Sequence, residues 1–333
     1  MTEPPKGNRL IVVGASAGGP PALRTLLAGL AADLDAAVLI VQHSDVHGPR
    51  VLPSVLESVS VLPVAYAREG DEVTPGRVLL APPDHHLLVQ DSVARVTRGP
   101  RQNRSRPSID VLFRSAAVAA GPGAIGVLLT GMLDDGALGL HSIKRCGGVA
   151  VIQDPSDALY PELVEHAREN VAVDHCLPLA GIPDLLNRLA QQPAPPDGQI
   201  PEDLRLEVEI TLDADSSKQI RERVAQPTNY SCPDCGGRLW QTESGQLKHY
   251  LCEVGHSYSE KALLEGQDRQ IEQALYVALR TLEERARMLE RMMEAEKKQV
   301  RAYPASSLAD RVEEVRANAD AIRNLLLKGR QQS

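Results

Sequence analysis

One phenylalanine and one tryptophan stand in 333 residues, and aromatics make up only 3% of the chain. That scarcity argues against base-stacking surfaces of the kind that hold single-stranded nucleic acid. Positive charge is also in deficit: 36 Lys and Arg face 44 Asp and Glu, a formal net charge of -8. A general binder of nucleic acid or anionic lipid needs the opposite balance. No apolar run reaches the roughly 18 residues of a membrane-spanning helix. The start of the chain, Met1 to Arg9, is polar and lacks a hydrophobic signal core. The expectation is a cytoplasmic protein without nucleic acid or membrane insertion among its interactions. The five cysteines are unevenly placed: Cys232, Cys235 and Cys252 cluster, while Cys146 and Cys176 lie far apart. This fits a metal site plus free thiols in a reducing compartment.

From Leu10 to about Ala190, short apolar runs alternate with helix-like segments. Strands are expected at Leu10–Val13, Ala37–Gln42, Val78–Ala81, Leu87–Gln90, Ala124–Leu129 and Val149–Gln153. Helices are expected at Pro21–Leu30, Val51–Leu56, Ile109–Ala120 and Gly136–Arg145. Such alternation predicts an α/β fold, a doubly wound and mostly parallel sheet with helices on both faces. The segment from Ala81 to His86 opens a hairpin-like excursion. Arg98, Arg101, Arg104 and Arg106 follow in a turn-rich stretch that reads as a solvated loop.

The first strand runs into Gly14-Ala15-Ser16-Ala17-Gly18-Gly19-Pro20. Glycines there let the backbone turn sharply and expose the Ser16 hydroxyl at the carboxyl edge of the sheet, where open α/β sheets bind ligands. Serine is a poor nucleophile at neutral pH and needs a base, which in turn needs an orienting acid. Two further strand ends supply such groups. His43 follows Val38–Gln42, and Asp134 and Asp135 follow Gly126–Leu129. The order Ser, His, Asp, with serine on the first strand, disfavours an α/β-hydrolase. Ser16 replaces the middle glycine of a dinucleotide fingerprint, which disfavours that site as well.

These stretches resemble the chemotaxis protein-glutamate methylesterases from about Leu10 to Leu186. Gly14–Pro20 resembles the family's nucleophile turn, and Val41-Gln42-His43 its histidine motif. Arg106–Phe113 is similar to a helix-start motif, Thr130–Gly136 to the aspartate motif, and Val173–Pro178 to the C-terminal strand. The resemblance implies a doubly wound catalytic domain over residues 8–190, with Ser16 as nucleophile, His43 as base and Asp135 as its orienter. The implied reaction is hydrolysis of γ-glutamyl methyl esters on a methylated chemoreceptor-like protein, releasing methanol and needing no cofactor for catalysis. Oxyanion donors are expected at the amides of Ala17 and Met132. Receptor glutamine deamidation, or a non-catalytic adaptor on the same fold, are the alternatives. The family's usual N-terminal phospho-acceptor receiver is not expected ahead of Ser16. Where the family carries Gly-Met-Pro, this chain has Leu159-Tyr160-Pro161, which is expected to reshape the cleft.

Residues 191–203 read as a linker. A metal module is expected over 204–262, opening with strand-like alternation of Leu206, Val208 and Ile210 in Leu204–Leu212. Cys232-x2-Cys235, then sixteen residues, then Cys252-x3-His256 offers four donors in two close pairs, which suits a closed, structural Zn²⁺ site. His249 fits that spacing less well. A helical tail is expected over 263–330. Leu275, Leu279, Leu282, Ala286, Leu289 and Met293 step by heptads, and so do Leu308, Val312, Val315, Ala319, Ile322 and Leu326, with a break at Tyr303–Ser306. That pattern predicts a helical hairpin or a coiled coil, a surface for signalling partners or for homo-oligomer formation.

Overall fold

The computed structural model describes residues 9–44, 48, 50–195, 199–212, 225–245, 247–298 and 305–329. The polar start at 1–8, the end of the proline-rich linker at 196–198 and Tyr303-Pro304 in the tail break lie outside the described residues. Residues up to Leu263 form one compact unit and those from Leu264 onward a second.

In the first unit the chain runs β1 (Arg9–Ala15), α1 (Gly19–Ala28), β2 (Ala36–Gln42), α2 (Leu52–Glu57), β3 (Val64–Tyr66) and β4 (Val78–Leu80). Next come a hairpin of β5 (His86–Gln90) and β6 (Val93–Thr97), then α3 (Ile109–Ala120), β7 (Ala124–Leu128), α4 (Ala137–Arg145) and β8 (Val149–Gln153). The α/β part ends with α5 (Glu162–Asn170), β9 (His175–Leu177) and α6 (Ile182–Ala190). Seven strands form one sheet in the order β3-β4-β2-β1-β7-β8-β9, and every pairing is parallel.

Both faces are covered, and β1 shows why its sequence is continuously apolar. Leu10 and Val12 enter one core with Leu39, Phe113 and Leu128. Ile11, Val13 and Ala15 enter the other with Leu23, Leu26 and Val127. A strand buried on both sides has no polar face to alternate with. Strand order reverses at β1: the chain first builds outward through β2, then returns to add β7 on the other side. The crevice beyond the carboxyl ends of β1 and β7 is therefore the switch point where such sheets hold ligands.

Leu204–Leu212 is a helix, α7 (Glu202–Leu212), and not the expected strand. Leu204 and Val208 are four residues apart, one helical turn, and both are buried. Leu204 joins the core that holds Phe113 of α3. The alternation of Leu206, Val208 and Ile210 was the weaker of two overlapping periods. Glu202 and Asp203 occupy the first turn, where acidic groups favour a helix start.

The Cys/His segment, expected as a module of its own, lies in the same compact unit as the sheet. It forms a four-stranded antiparallel sheet of β10 (Gln226–Ser231), β11 (Arg238–Ser244), β12 (Leu247–Cys252) and β13 (Ser257–Ser259). The helices α8 (Glu260–Lys298) and α9 (Ala305–Gly329) follow. In the second unit α8 and α9 run antiparallel: Arg323 pairs with Glu283, and Arg316 with Glu290. Ala286 and Leu289 pack on Leu308, Val312 and Val315, the hairpin form of the expected heptad pair.

Candidate active site

The turn after β1 is built to present Ser16. Gly18 adopts a left-handed φ of 74° as the cap of α1, a conformation glycine takes without cost. The Ser16 amide donates to Thr130 O at 3.1 Å, tying the turn to the end of β7. The β7 turn comes so close that a Cβ at Gly131 would lie 2.8 Å from Ser16 Cβ. Gln42 secures the other side, donating from Nε2 to Ser16 O and to His43 O, both at 2.8 Å.

His43 follows β2, and its amide donates to Ala15 O. Its Nδ1 stands 3.2 Å from Ser16 Oγ, and its Nε2 stands 2.8 Å from Asp135 Oδ2. With Asp135 ionised, the ring proton sits on Nε2 and leaves Nδ1 as the acceptor facing the serine. Asp134, the other aspartate of the pair, points elsewhere, its carboxylate 3.9 Å from His166.

Asp135 is 3% exposed. Burial alone would raise its proton affinity, but hydrogen bonding and charge from His43, with donors from Asn103 and Ile109, hold it well below the usual carboxylate range. The donors are His43 Nε2, Asn103 Nδ2 at 3.0 Å, Ser108 Oγ at 2.8 Å, and the amides of Ile109 at 2.7 Å and Asp110 at 3.3 Å. The last three lie at the N-terminus of α3. Ser108 precedes the helix, yet its side chain makes no cap bond; Asp135 accepts the free helix amides instead. Beside it Asp110 is also buried, and burial followed by the charge of Asp135 pushes its carboxyl up. Asp110 accepts from the amides of Gly136 and Gly139 at 2.9 and 2.6 Å, which closes the β7 turn onto α3.

Ala17 and Met132 flank the serine from the two turns. The neighbouring amides are engaged, Gly131 with Tyr160 O and Leu133 with Glu162. Those of Ala17 and Met132 have no partner among the described residues. Met132, Leu159 and Tyr160 are exposed, and a Cβ at Gly18 would meet Leu159 at 3.2 Å. An apolar rim thus borders the turn. The backbone of Tyr160 fastens it, since Tyr160 O accepts from Gly131 and its amide donates to Thr130 Oγ1.

Sequence reading missed Gln42, Asn103, Ser108 and Asp110 as parts of this site. It also misjudged part of the arginine stretch. Arg106 is largely buried, pairing with Asp84 at 2.7 Å and donating to Gly99 O, and Arg98 pairs with the same aspartate. Asp84 collects two guanidinium groups and pins the ends of the loop together, while Arg98 and Arg101 themselves stay exposed as expected.

The expected metal ligands come together. Sγ of Cys232, Cys235 and Cys252 and the His256 ring nitrogen lie within 4.8 Å of one another. Cys235 and Cys252 sulfurs are 3.9 Å apart, and His256 Nδ1 lies 3.7 and 3.4 Å from the sulfurs of Cys232 and Cys252. Zn–S and Zn–N bonds of about 2.3 and 2.0 Å in a tetrahedron place donors roughly 3.5–3.8 Å apart, so the donor set fits that ion. Tyr258 Oη bonds Asp234 at 2.6 Å and lies 3.1 Å from the Cys232 sulfur. His249 is not part of the cluster. It is buried, and neither ring nitrogen has a partner among the described residues. It lines a cavity of about 120 Å³ with Arg114 and Gln102.

Fold and site together define an α/β protein with a serine–histidine–aspartate array at the switch point of a parallel sheet. The CheB methylesterase family model matches residues 11–186, and the chain belongs to that family. It is 44% identical over 187 residues to a protein-glutamate methylesterase/protein-glutamine glutaminase 5 of Anaeromyxobacter dehalogenans, covering 55% of this chain and 51% of that one. A putative protein-glutamate methylesterase/protein-glutamine glutaminase of Leptospira interrogans is 41% identical over 182 residues, 54% of this chain and 94% of its own. The catalytic domain of the Thermotoga maritima CheB methylesterase superposes with a TM-score of 0.52 at 31% identity, covering 54% of this chain and 98% of that domain. The chain thus spans about half the length of some curated relatives it matches and nearly all of others. The family match ends before the Cys/His cluster and the paired helices. Among the described residues no helix is long and apolar enough to cross a membrane.

Proposed function

We propose that this chain is a serine esterase that hydrolyses protein glutamate γ-methyl esters on a methylated receptor-type protein. The observation that carries this reading is the unbroken line from Ser16 Oγ through His43 to Asp135, at 3.2 and 2.8 Å. His43 Nδ1 takes the serine proton as Oγ attacks the ester carbonyl. The amides of Ala17 and Met132 stabilise the oxyanion, a contribution typically worth a few kcal/mol. His43 then returns the proton to the departing methoxide, and methanol leaves. A water molecule, deprotonated by the same nitrogen, cleaves the acyl-serine to free glutamate. Asp135 keeps the ring in one tautomer and stabilises the imidazolium. Met132, Leu159 and Tyr160 give the half-buried serine an apolar border, suited to the apolar flank of a receptor helix.

Amide hydrolysis at glutamine is the second reading, favoured by the paired activities in the relatives' names. The same array would protonate the departing amide nitrogen, which leaves as ammonia, where the ester loses methoxide as methanol. In the Cys/His cluster, Cys232, Cys235, Cys252 and His256 would hold a structural Zn²⁺. All four positions are filled by protein donors, so the ion would have no catalytic opening. Contacts with signalling partners, or between copies, fall to the α8–α9 pair, which exposes Ile271, Val277, Met288 and Leu325.

The test is methanol release from methylated receptor helices. Ser16→Ala should lower turnover by about 10³-fold or more while circular dichroism stays unchanged. Turnover equal to wild type in that variant sinks the reading. Ammonia release from the amidated receptor, measured beside it, ranks the two activities.

A further inference from the structure

Asn103 is 4% exposed and lies in the loop between β6 and α3. Its Nδ2 donates to Asp135 Oδ1 at 3.0 Å and to Asp110 Oδ2 at 2.7 Å, so both amide hydrogens are used. Its Oδ1 accepts the Ser259 amide at 2.9 Å, and its own amide donates to Ser257 O at 2.8 Å. Ser257 and Ser259 are the two ends of β13, the strand that follows His256. One buried side chain therefore joins the carboxylate of the serine array to the Cys/His module.

The chemistry of the amide makes this a directional link. An asparagine has a donor end and an acceptor end of nearly equal shape. Turned over, it would set its oxygen against two carboxylates and its NH₂ against a backbone N–H. The module amide and the carboxylates thus demand the same orientation, and each enforces it for the other. Removing the Ser259 amide would leave Oδ1 a buried acceptor without a partner and free the side chain to swing off Asp135.

A second strap comes from the same segment. Lys261 pairs with Glu162, and Glu162 accepts the Leu133 amide at 3.2 Å. Leu133 has a φ of 69° in the turn that carries Asp135, a strained conformation for a leucine that its surroundings must hold. Contacts from Ser257 to Lys261 thus converge on the short turn that places the array's acid.

We propose that Asn103 is a positioning residue for the Ser16–His43–Asp135 array and that β13 of the Cys/His module holds it in place, so that turnover requires the docked module. The proposal rests on the esterase reading for its reaction, but nucleophile activation can be read without it. The full chain is assayed in two ways: methanol release from methylated receptor helices, and the rate of Ser16 labelling by a fluorophosphonate. Wild type that labels but releases no methanol would sink the esterase reading and leave this proposal to be judged on labelling. Asn103→Ala should lower kcat and the labelling rate about tenfold or more, with KM changed less than about twofold. Loss of a donor to Asp135 strengthens its pull on the imidazolium, so the acid limb of the rate profile should move to higher pH. Ser259→Pro removes the module's N–H together with the hydroxyl that accepts from the Ala262 amide, so it is read against Ser259→Ala, which loses only the hydroxyl. Relative to that control it should slow both reactions in the same direction by about threefold or more. Wild-type kcat and pH profile in Asn103→Ala would overturn the positioning role. Wild-type labelling in Ser259→Pro would overturn the link to the module. Should Asn103→Ala not fold, Asn103→Asp carries the test, because it keeps an acceptor for Ser259 and loses both donors. A wild-type rate in that variant would overturn the proposal equally.

Discussion

The Ser16–His43–Asp135 array and the Cys232–Cys235–Cys252–His256 cluster both gather side chains from separate turns, but different forces hold them. Asp135 sits above a sheet with a core on each face and accepts five hydrogen bonds from the protein. Its charge is met by backbone amides, a hydroxyl, a carboxamide and an imidazole, all of them dipoles of the protein itself. The sulfur atoms of the cluster have only a small core around them, built on Leu239, Tyr250 and Tyr258. Thiolates within 4.8 Å of one another repel unless a cation sits among them. Where the scaffold is thick, ordered dipoles compensate a buried charge; where it is thin, the proposed ion would supply both the charge and the cross-link.

Metal removal is the strongest way to break that contrast. Structural Zn²⁺ contributes about 10–16 kcal/mol in small zinc-finger peptides at neutral pH. Chelation, or Cys252→Ser, should therefore expose 225–259 to protease while the seven-stranded sheet stays resistant and unfolds cooperatively. Mass mapping of the first cleavage sites checks this. First cuts in β1 or β7 rather than β10–β13 would show that the two regions do not differ in what holds them.

Next in size is Asp135→Asn. The oxygen kept at Oδ1 still accepts from Ser108, Asn103 and the Asp110 amide, but the Ile109 amide, which donates to Oδ2, loses its acceptor, so stability should fall by about 1–3 kcal/mol. Its NH₂ group now faces His43 and favours the tautomer with the proton on Nδ1, toward Ser16. A swap of this kind costs about 10⁴-fold in kcat where a triad operates. Urea unfolding and methanol release, run on the same preparation, separate the two numbers. A kcat within tenfold of wild type would remove Asp135 from the reaction.

The sequence exposed much of this architecture because the apolar runs are short and bounded. β1, β2, β7 and β8 were read within two residues of their observed ends, and α3 at both of its bounds. Ser16 and His43 stand out because each closely follows such a run, whereas Asp135, six residues past Leu129, is told from Asp134 only by the resemblance to the aspartate motif. Asn103 was not legible, because it is embedded among arginines that read as a charged loop, and nothing local signals that Arg106 is buried against Asp84. Gln42 was invisible for the opposite reason: it ends an apolar strand, and its role appears only when the Ser16 turn is packed beside it. α6 was passed over even though Ile182, Leu185, Leu186 and Leu189 form an amphipathic face. In α7 two periods coexist, and only packing against α3 decides between them.

Asp110→Asn gives the smallest effect and the finest test of how much charge the amides at the start of α3 can carry. Asp110 and Asp135 share that pocket and share the donor Asn103. Burial and the neighbouring carboxylate raise the proton affinity of folded Asp110. The folded state then binds a proton that the unfolded chain releases, so Asp110 favours folding below its unfolded pKa and loses that contribution as pH rises through the raised value. Asp135, shifted down, contributes stability above the usual carboxylate pKa and loses it as pH falls. An asparagine at 110 cannot titrate. It keeps an oxygen for the Gly136 and Gly139 amides but turns an NH₂ toward Asn103, a cost that does not vary with pH. Between pH 5 and pH 8, the difference in unfolding free energy should therefore move in the variant's favour by about 1 kcal/mol or more, measured by urea unfolding. A difference that stays flat across that range would mean that the turn compensates two carboxylates as well as one, and that Asp135 owes its ionised state to more than first claim on the α3 amides.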